Sequence, residues 1–372
     1  MAQSESAHTA GHRTVLMCRF SALGDVAMTV PVIYSVCRSY PDVRFVMVTR
    51  PMMTALFVGA PENLTVVGAD VNGKYEGVNG IRVLASDMYS EYRPDIFVDL
   101  HNVLRTRLLA IFLRLKGVPS VRIFKPRAKR RALTRRVNKV MLPLTSQRAR
   151  YREAFFKAGL PCNEMFDGLY HGRNSAPEAD FAKISAPKPA GEKWIGIAPF
   201  AAHAGKVYPP EKMEQIVAMF QRDADQGERL RIFLFGGGGE EQAILEGWAT
   251  KYPCVQSLAG KRYGFHAELA LLNHLDVMLA MDSSNMHLAA IAGAPTLSIW
   301  GATHPYCGFK GWHQRDDDTI QVPVPCRPCS VFGDKPCFRG DYICLTAIKP
   351  ELVYSRMREK LNKTAPVSVI YR

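Results

Sequence analysis

The sequence predicts a two-domain α/β protein, in which each domain is a parallel β-sheet covered by helices on both faces. The chain has 372 residues, more than one ordinary hydrophobic core accommodates. Short apolar runs alternate with longer amphipathic runs in both halves of the chain, as expected for strands followed by helices. Residues 174–193, rich in Ala, Pro and Ser, interrupt this alternation and indicate a linker.

These observations divide the chain into four parts. We predict an N-terminal domain over residues 1–173, a linker over 174–193, a C-terminal domain over 194–349, and a C-terminal helix and tail over 350–372. In the first domain the predicted strands cover residues 14–18, 45–48, 64–67, 96–100 and 118–124. Amphipathic stretches predict helices over 26–39 and 103–115. Pro31 fits the first of these helices only near its first turn, because proline has no N–H.

The alternation restarts after the linker. The predicted strands there cover residues 194–198, 230–235, 276–280 and 296–300. The predicted helices cover residues 211–221, 240–249, 265–273 and 286–292, and a terminal helix covers 350–361. Ligands of such α/β domains bind at the carboxyl ends of the strands, so the loops that follow the strands are the candidate sites.

The charge of the chain favours an anionic partner. Apolar and charged contents of 47% and 22% are typical of globular proteins, but the formal net charge is +14. Nucleotides, phosphorylated glycans, membrane surfaces and nucleic acids would all be attracted. Residues 122–140, here called the basic segment, are dense in Arg and Lys, contain no acid, and include the apolar Phe124 and Leu133. The basic segment indicates contact with a membrane surface or polyanion, and a solvated loop explains it equally well.

The sequence also carries signals of location. Residues 1–13 are polar and have no apolar h-region, so we predict no secretory signal. The best candidate for a spanning helix, residues 108–115, is short and contains Arg114, so we expect none. We therefore expect a cytoplasmic protein whose nine cysteines are reduced.

Four of the cysteines are clustered near the C-terminus. Cys326, Cys329, Cys337 and Cys344 have the spacing C-x2-C-x7-C-x6-C. This spacing can support a tetrahedral zinc site, although the second pair is wider than in the common zinc knuckles. A packed cluster of reduced thiols is the preferred interpretation.

Three of the loops after strands carry candidate site residues. Asp25 follows Gly24 in the turn after the first strand. Lys206 lies in a loop before a helix, where an ammonium group can meet a phosphate, although ordinary surface charge also explains it. Gly236 and Gly237 belong to a run of four glycines whose backbone N–H groups can approach a ligand closely. That run is neither a dinucleotide fingerprint nor a P-loop, and a flexible turn is the common alternative.

The stretch "LAMDSSNMHLAAIAGAP" combines several binding groups at one helix N-terminus. Asp282 ends a strand, Ser283 and Ser284 open the next helix, and His287 lies in its first turn. Such a helix N-terminus is a ready anion site, since its N–H groups and dipole favour negative charge. The alternative is that Asp282 and the serines merely cap the helix.

These stretches together resemble glycosyltransferase family nine, the ADP-heptose:lipopolysaccharide heptosyltransferases, over about residues 15–348. The matching segments are "SALGDVAMTVPVI", "GKVYP", "FGGGGEE" and "MDSSNMHLAAIAGAPTLSIWGATHP". The resemblance implies the GT-B architecture, two Rossmann-like domains that face a cleft, with the nucleotide-sugar donor on the C-terminal domain and the acceptor on the N-terminal one. It implies inverting, metal-independent transfer from ADP-heptose to a lipopolysaccharide-core acceptor, with no cofactor.

The resemblance also assigns roles to residues. Asp25 would be the general base, Lys206 a contact to the donor diphosphate, and Asp282 and His287 members of a D-[TS]-x-x-x-H pattern. Ser283 and Ser284 would hold the diphosphate through their backbone groups, and Glu240 would meet the ribose hydroxyls. The family often has Gly-Pro where this chain has Ser284-Asn285. The resemblance assigns no acceptor residues, because the acceptor loops of the family vary. Positive charge instead predicts contacts to the acceptor phosphates or to the inner face of the cytoplasmic membrane for Arg105, Arg107, Arg127, Lys129, Arg130 and Arg131.

Three other functions compete with this one. The same fold could use another nucleotide-linked sugar to build a different surface glycan. A basic nucleic-acid-binding protein would need exposed aromatic residues beside the basic segment, where only Phe124 is present, so we expect no nucleic-acid partner. An NAD-linked oxidoreductase would need the glycine fingerprint that is missing here.

Overall fold

The structure is a computed structural model that describes residues 13–362. Contacts between Cα atoms divide these residues into two compact units. The first unit comprises residues 13–21, 32–124 and 150–166, and the second comprises 22–31, 125–149 and 167–362. Residues 1–12, for which we predict no secretory signal, and the tail 363–372 lie outside the described residues.

Each unit contains one parallel sheet, which confirms the predicted fold class. The first sheet has the order β3-β2-β1-β4-β5, and its strands are β1 (Thr14–Cys18), β2 (Arg44–Thr49), β3 (Leu64–Gly68), β4 (Ile96–Asp99) and β5 (Ser120–Arg122). The second sheet has the order β11-β10-β9-β6-β7-β8, and its strands are β6 (Lys193–Ala198), β7 (Leu230–Leu234), β8 (Val255–Ser257), β9 (Val277–Met281), β10 (Thr296–Ile299) and β11 (Thr319–Ile320). All nine predicted strands are present.

Helices connect the strands. The helices of the described residues are α1 (Leu23–Ala27), α2 (Val30–Ser39), α3 (Gly77–Tyr92), α4 (Leu104–Arg114), α5 (Arg127–Leu133), α6 (Gln147–Lys157), α7 (Glu178–Phe181), α8 (Pro210–Asp225), α9 (Glu240–Lys251), α10 (Phe265–Asn273), α11 (Ser284–Ala292), α12 (Ile343–Thr346) and α13 (Pro350–Asn362). Among these residues, no helix combines the length and the apolar character that crossing a bilayer requires.

The prediction of one helix over residues 26–39 is wrong. Two helices, α1 and α2, replace it, and Pro31 occupies the first turn of α2. Because Pro31 has no N–H, it cannot continue the hydrogen-bond pattern of α1. Thr29 lies between the helices, and its hydroxyl donates a hydrogen bond of 2.7 Å to the carbonyl of Val26. Asp25 therefore lies in the first turn of a short helix rather than in the preceding loop.

Helix α3 was absent from the sequence-based prediction. Its buried side chains follow a helical spacing, and they are Ile81, Leu84, Ala85, Met88 and Tyr92. This stripe was the available signal, although two glycines near the start of the helix weaken its propensity.

The second sheet has a reversal in strand order that positions the candidate site. From β6 the chain adds β7 and β8 on one side, and then crosses to add β9, β10 and β11 on the other. In such sheets the loops after the two central strands diverge and leave a crevice at their carboxyl ends. The loops after β6 and β9 therefore flank one crevice in the second unit.

Residues 174–193, predicted as a linker, lie in the second unit. Phe181 of α7 is fully buried there, and its ring lies 5.8 Å from that of Trp194 and 4.8 Å from that of His274. This stretch is rich in small residues and proline, but the buried ring of Phe181 anchors it to the second sheet.

Candidate active site

A cavity of about 570 Å³ lies in the second unit, at the carboxyl ends of its central strands. The loops after β6, β7 and β9 contribute to its wall, and so does α1. It gathers most of the residues proposed for the donor site and the base. These are Asp25, Lys206, Gly236, Gly237, Asp282, Ser283, Ser284 and His287.

The centre of the cavity holds a buried ion pair. The Nζ atom of Lys206, after β6, lies 3.1 Å from the Oδ2 atom of Asp282, which directly follows β9. Their side chains are only 16% and 6% exposed. An ammonium group has three N–H donors, so Lys206 can keep this partner and still donate to an anionic ligand. Lys206 is therefore a positioned cation and not ordinary surface charge.

The N-terminus of α11 faces the same cavity. Ser283 precedes the helix in extended conformation and makes no side-chain capping hydrogen bond. Its hydroxyl is buried without a hydrogen-bond partner. The first N–H groups of any helix lack partners within the helix, and a buried unpaired hydroxyl costs free energy unless a ligand or water meets it. The side chain of Ser283 therefore does not cap α11, contrary to the alternative considered above. The N-terminus of α11 suits an anion.

His287 is a buried and neutral member of the site. Burial lowers the pKa of its imidazole to about 4, and this effect outweighs the nearby carboxylates of Asp282 and Asp25, which raise the pKa. Its Nδ1 atom is buried without a hydrogen-bond partner. A neutral imidazole offers one donor and one acceptor, so His287 can hydrogen-bond a ligand without adding charge.

The pKa of His287 predicts a pH dependence of stability. In the unfolded chain the imidazole takes up its proton near pH 6.5, and in the folded protein only near pH 4. The unfolded state therefore binds more protons in this window, so the free energy of unfolding should fall by about 3 kcal/mol as the pH drops from 6.5 to 4. Denaturant titrations should show a shallower fall for His287→Gln, which cannot titrate. Changing the exposed His203 to Gln provides the control, and equal slopes for all three proteins would contradict the assignment.

A glycine brings the base candidate to this site. A Cβ atom at Gly24 would lie 2.7 Å from Cδ2 of His287 and 3.2 Å from the Cα atom of Ser284. Only glycine allows α1 to approach α11 this closely. The approach places Asp25, the next residue, in the wall of the cavity that Lys206 also lines.

The glycine run lines the cavity together with one of the two acidic residues that follow it. Gly236 and Gly237 line the cavity, and the N–H of Gly237 donates a hydrogen bond of 2.7 Å to the Oε2 atom of Glu241. Glu240 is exposed and is not part of the cavity wall, whereas Glu241 is. Successive helical residues point about 100° apart, so the side chain that turns back toward the loop is that of Glu241.

The cavity also has an aromatic wall that sequence reasoning missed. Phe200 and Phe235 follow β6 and β7. Phe309 lies in an irregular segment after β10, and Phe332 lies in one after β11. Phe200 and Phe235 could have been found from their positions at strand ends. Phe309 and Phe332 gave no periodic signal, because neither belongs to a helix or strand.

The arginines proposed for the acceptor separate into different environments. Arg105 and Arg107 lie on α4 in the first unit and do not line the cavity. The Nε atom of Arg107 donates a hydrogen bond of 2.9 Å to Asn102. Arg105 is half-buried and Arg107 is exposed.

The basic segment is divided as well. Arg127, Lys129 and Arg131 are exposed on α5, whereas the guanidinium of Arg130 lies 5.6 Å and 5.3 Å from the ring centroids of Phe309 and Phe332. Arg130 therefore supports the aromatic wall of the cavity. Leu133, one of the two apolar residues noted in the basic segment, is fully buried and therefore cannot contact a membrane. The helical spacing of α5 turns it inward.

The cysteine cluster lies in the second unit. Cys344 is buried, and Cys326, Cys329 and Cys337 are half-buried free thiols. Within residues 13–362, no three or more His, Cys, Asp or Glu side chains are arranged so that they could hold a metal ion. Burial raises the pKa of Cys344 to about 11, which keeps that thiol protonated.

Comparisons with known proteins agree with this geometry. The sequence profile of the family described as Glycosyltransferase family 9 (heptosyltransferase) matches residues 91–335. A Pseudomonas aeruginosa protein named lipopolysaccharide heptosyltransferase 1 is 24% identical, over 93% of this chain and 98% of its own length.

Two solved structures show the same fold. A glycosyl transferase family 9 protein from Veillonella parvula has a TM-score of 0.70 at 15% identity, covering 96% of this chain and 100% of its own. The E. coli heptosyltransferase WaaC with ADP has a TM-score of 0.64 at 16% identity, covering 93% and 99%. The fold is therefore of the GT-B type.

The profile spans well over half of the sequence and includes Lys206, the glycine run and Asp282. The chain accordingly belongs to glycosyltransferase family 9, the heptosyltransferases, and is a glycosyltransferase.

Proposed function

We propose that this protein transfers a heptose, with inversion, from ADP-heptose to a lipopolysaccharide-core acceptor, and that it does so without a metal ion. The observation that carries the proposal is that Asp25 and the buried Lys206–Asp282 pair line one cavity. A carboxylate and a positioned cation in one site suit a reaction in which one group accepts a proton and the other stabilises a departing phosphate.

The donor diphosphate would bind at the centre of the cavity. Lys206 would donate to its oxygens, and so would the N–H groups and the unpaired Ser283 hydroxyl at the start of α11. The nucleoside would lie toward the glycine run, where the backbone can approach a ligand closely. Glu241 rather than Glu240 would then meet the ribose hydroxyls, since Glu241 lines the cavity.

Asp25 would act as the general base. Its carboxylate would take the proton of an acceptor hydroxyl while that oxygen forms a bond to the anomeric carbon. The bond from this carbon to the diphosphate oxygen breaks at the opposite face, so the configuration inverts. Lys206 and the α11 N-terminus would stabilise the negative charge on the departing nucleoside diphosphate, a task that metal ions perform in some other transferases.

The relatives support the choice of substrates. The Pseudomonas relative is named for lipopolysaccharide heptose transfer, and the WaaC structure was solved with ADP. An alternative within the same fold is another nucleotide-linked sugar for another surface glycan.

A screen of donors tests the proposal. Purified protein would be assayed for transfer or hydrolysis with ADP-heptose, UDP-sugars and GDP-sugars, with and without a lipopolysaccharide-core acceptor. Consumption of ADP-heptose that increases with acceptor supports the proposal, and α-linkage or β-linkage of the product reports on inversion. Preference for a UDP- or GDP-sugar would contradict it in favour of the alternative.

We further propose that the protein works at the inner face of the cytoplasmic membrane. Residues 100–152 contain sixteen Lys and Arg and no acid, whereas the rest of the chain has 32 Lys and Arg against 34 Asp and Glu. The whole positive excess thus belongs to one stretch. This stretch also exposes the apolar side chains of Leu104, Leu115, Phe124, Val137 and Leu142. Cations beside exposed apolar groups suit an anionic lipid surface.

Co-sedimentation with anionic liposomes should reveal this attraction. We expect binding at low salt that falls as salt rises, because the interaction is screened over about 10 Å at 0.1 M. Replacing Arg127, Lys129 and Arg131 with Gln should weaken binding, since each exposed cation contributes on the order of 1 kcal/mol. Arg130 is left intact because it supports the cavity wall.

The matched control removes the same charge elsewhere. Lys183, Arg222 and Lys251 are exposed cations of the second unit, outside residues 100–152. Their triple Gln variant should pellet with liposomes as the wild type does. Equal pelleting of all three proteins at low salt would show that the basic segment is only a solvated surface.

A further inference from the structure

The aromatic wall of the cavity is a built surface without an assigned ligand. The rings of Phe309 and Phe332 lie 5.8 Å apart at 50°, and both line the cavity that contains Asp25 and Lys206. Phe309 is 8% exposed, whereas Phe332 is 45% exposed. A large aromatic ring left this open in the cavity that holds Asp25 and Lys206 is available to a ligand.

Several contacts fix Phe332 in this orientation. The hydroxyl oxygen of Ser330 accepts hydrogen bonds from the N–H groups of Phe332 at 3.2 Å and Gly333 at 2.9 Å. The N–H of Cys329 donates to the carbonyl of Ala302 at 3.0 Å, which ties the segment to the end of β10. The ring is thus held by a tight turn on a rigid sheet.

Two cationic side chains surround the same turn. Arg130 lies over both rings at 5.6 Å and 5.3 Å from their centroids, a geometry in which guanidinium and aromatic faces attract. On the other side, a Cβ atom at Gly333 would lie 2.5 Å from Cγ of Lys206. Glycine at this position therefore lets the turn pack against the aliphatic part of the Lys206 side chain. Phe332 directly precedes Gly333, so it lies beside the proposed phosphate contact.

The strand order assigns a side of the cavity to the aromatic pair. The glycine run follows β7, Lys206 follows β6, Asp282 follows β9, and Phe309 follows β10. These strands are neighbours in that order. In the proposed orientation, the nucleoside lies at the glycine run and the diphosphate lies at Lys206 and Asp282. The β10 side of the cavity, where the aromatic pair lies, then remains for the group attached to the other end of the diphosphate.

We infer that Phe332 and Phe309, backed by Arg130, form a stacking surface for a sugar ring in the active site. This inference rests on the proposed function, because the direction from nucleoside to sugar follows from the proposed donor orientation. The faces of a pyranose ring carry C–H groups, and an aromatic face is apolar and electron-rich, so the two pack together. The sugar is either that of the donor or the accepting sugar of the glycan.

The test compares Phe332→Ala with Phe332→Tyr, which keeps the ring. Calorimetry would measure the affinity of each protein for ADP and for ADP-heptose, and steady-state assays would measure KM for the acceptor. We expect Phe332→Ala to bind ADP within about twofold of the wild type. A weakening of about tenfold for ADP-heptose alone identifies the donor sugar, and a rise of about tenfold in acceptor KM alone identifies the acceptor sugar. Phe332→Tyr should resemble the wild type in both.

The contribution of Arg130 has its own control. Arg130→Ala should weaken the same step as Phe332→Ala, because the rings lose their backing, whereas Arg222→Ala removes an equal charge from an exposed position of the second unit. Arg222→Ala should leave the affinities for ADP and ADP-heptose and the acceptor KM unchanged.

Other outcomes would overturn the inference. Equal weakening of ADP and ADP-heptose by Phe332→Ala would mean that the ring contacts the nucleoside or only supports the fold. Unchanged affinities and KM would mean that no sugar meets it. If the wild type binds ADP but prefers another sugar nucleotide, the proposed donor is wrong, and the same comparison with the preferred donor still decides whether Phe332 contacts a sugar.

Discussion

Replacing Asp25 with Asn is expected to lower kcat by roughly 10²–10⁴-fold while the affinity for ADP stays nearly unchanged. Asparagine keeps the shape of the side chain but cannot accept the proton of the acceptor hydroxyl. The close approach of α1 to α11 depends on Gly24, so the substitution at Asp25 leaves this packing intact. The loss should therefore appear in the chemical step and not in donor binding.

Single-turnover assays at saturating donor, together with calorimetry of ADP binding, measure the two quantities separately. Glu178→Gln removes an exposed carboxylate of the second unit and serves as the matched control. Its kcat should equal that of the wild type. Turnover of Asp25→Asn close to the wild-type value would remove Asp25 from the mechanism, and a parallel loss of ADP affinity would indicate a binding role.

Replacing Lys206 with Ala is expected to weaken ADP binding by about tenfold to a hundredfold. A charge-assisted hydrogen bond to a phosphate contributes roughly 1.5–3 kcal/mol, and a tenfold change in affinity corresponds to about 1.4 kcal/mol. The substitution also leaves the buried carboxylate of Asp282 without its cation, next to the proposed diphosphate. Both effects act against binding of an anion.

The second unit offers a matched control for this experiment. Lys188 forms a buried ion pair with Asp276 at 2.6 Å, and their side chains are 15% and 9% exposed. Lys188→Ala therefore breaks an ion pair of similar burial that does not line the cavity. Both variants should lose stability in denaturant titrations, but only Lys206→Ala should lose ADP affinity. Equal affinities of Lys206→Ala and the wild type would reject the phosphate contact.

Much of the fold and of the candidate site was predictable from local sequence. A central parallel strand is buried on both faces, so runs such as that of β1 are continuously apolar and easily found. The strands that were missed, β8 and β11, span three and two residues and are too short to show a pattern. Lys206, Asp282 and Ser283 follow strands, and strand ends of a parallel sheet converge at one edge.

The tertiary structure decided what depends on contacts between residues distant in the chain. Phe309 and Phe332 enter the cavity through irregular segments that sequence periodicity does not describe. Which arginines of the basic segment face solvent follows from the packing of α5, since Arg130 meets those two rings whereas Arg127 and Arg131 are exposed. Glu241 rather than Glu240 reaches the cavity because successive residues of α9 point about 100° apart and only the contacts of the folded chain show which of them faces inward.

The sequence by itself thus determined the class of protein, nine of the eleven strands of the described residues, and the residues that follow them, because these depend on local apolar patterns and on residue chemistry. Only the tertiary structure revealed why Gly24 must precede Asp25, since the His287 ring that excludes a Cβ atom there comes from more than 250 residues later in the chain. Steric exclusion of this kind depends on three-dimensional proximity, which no local pattern encodes.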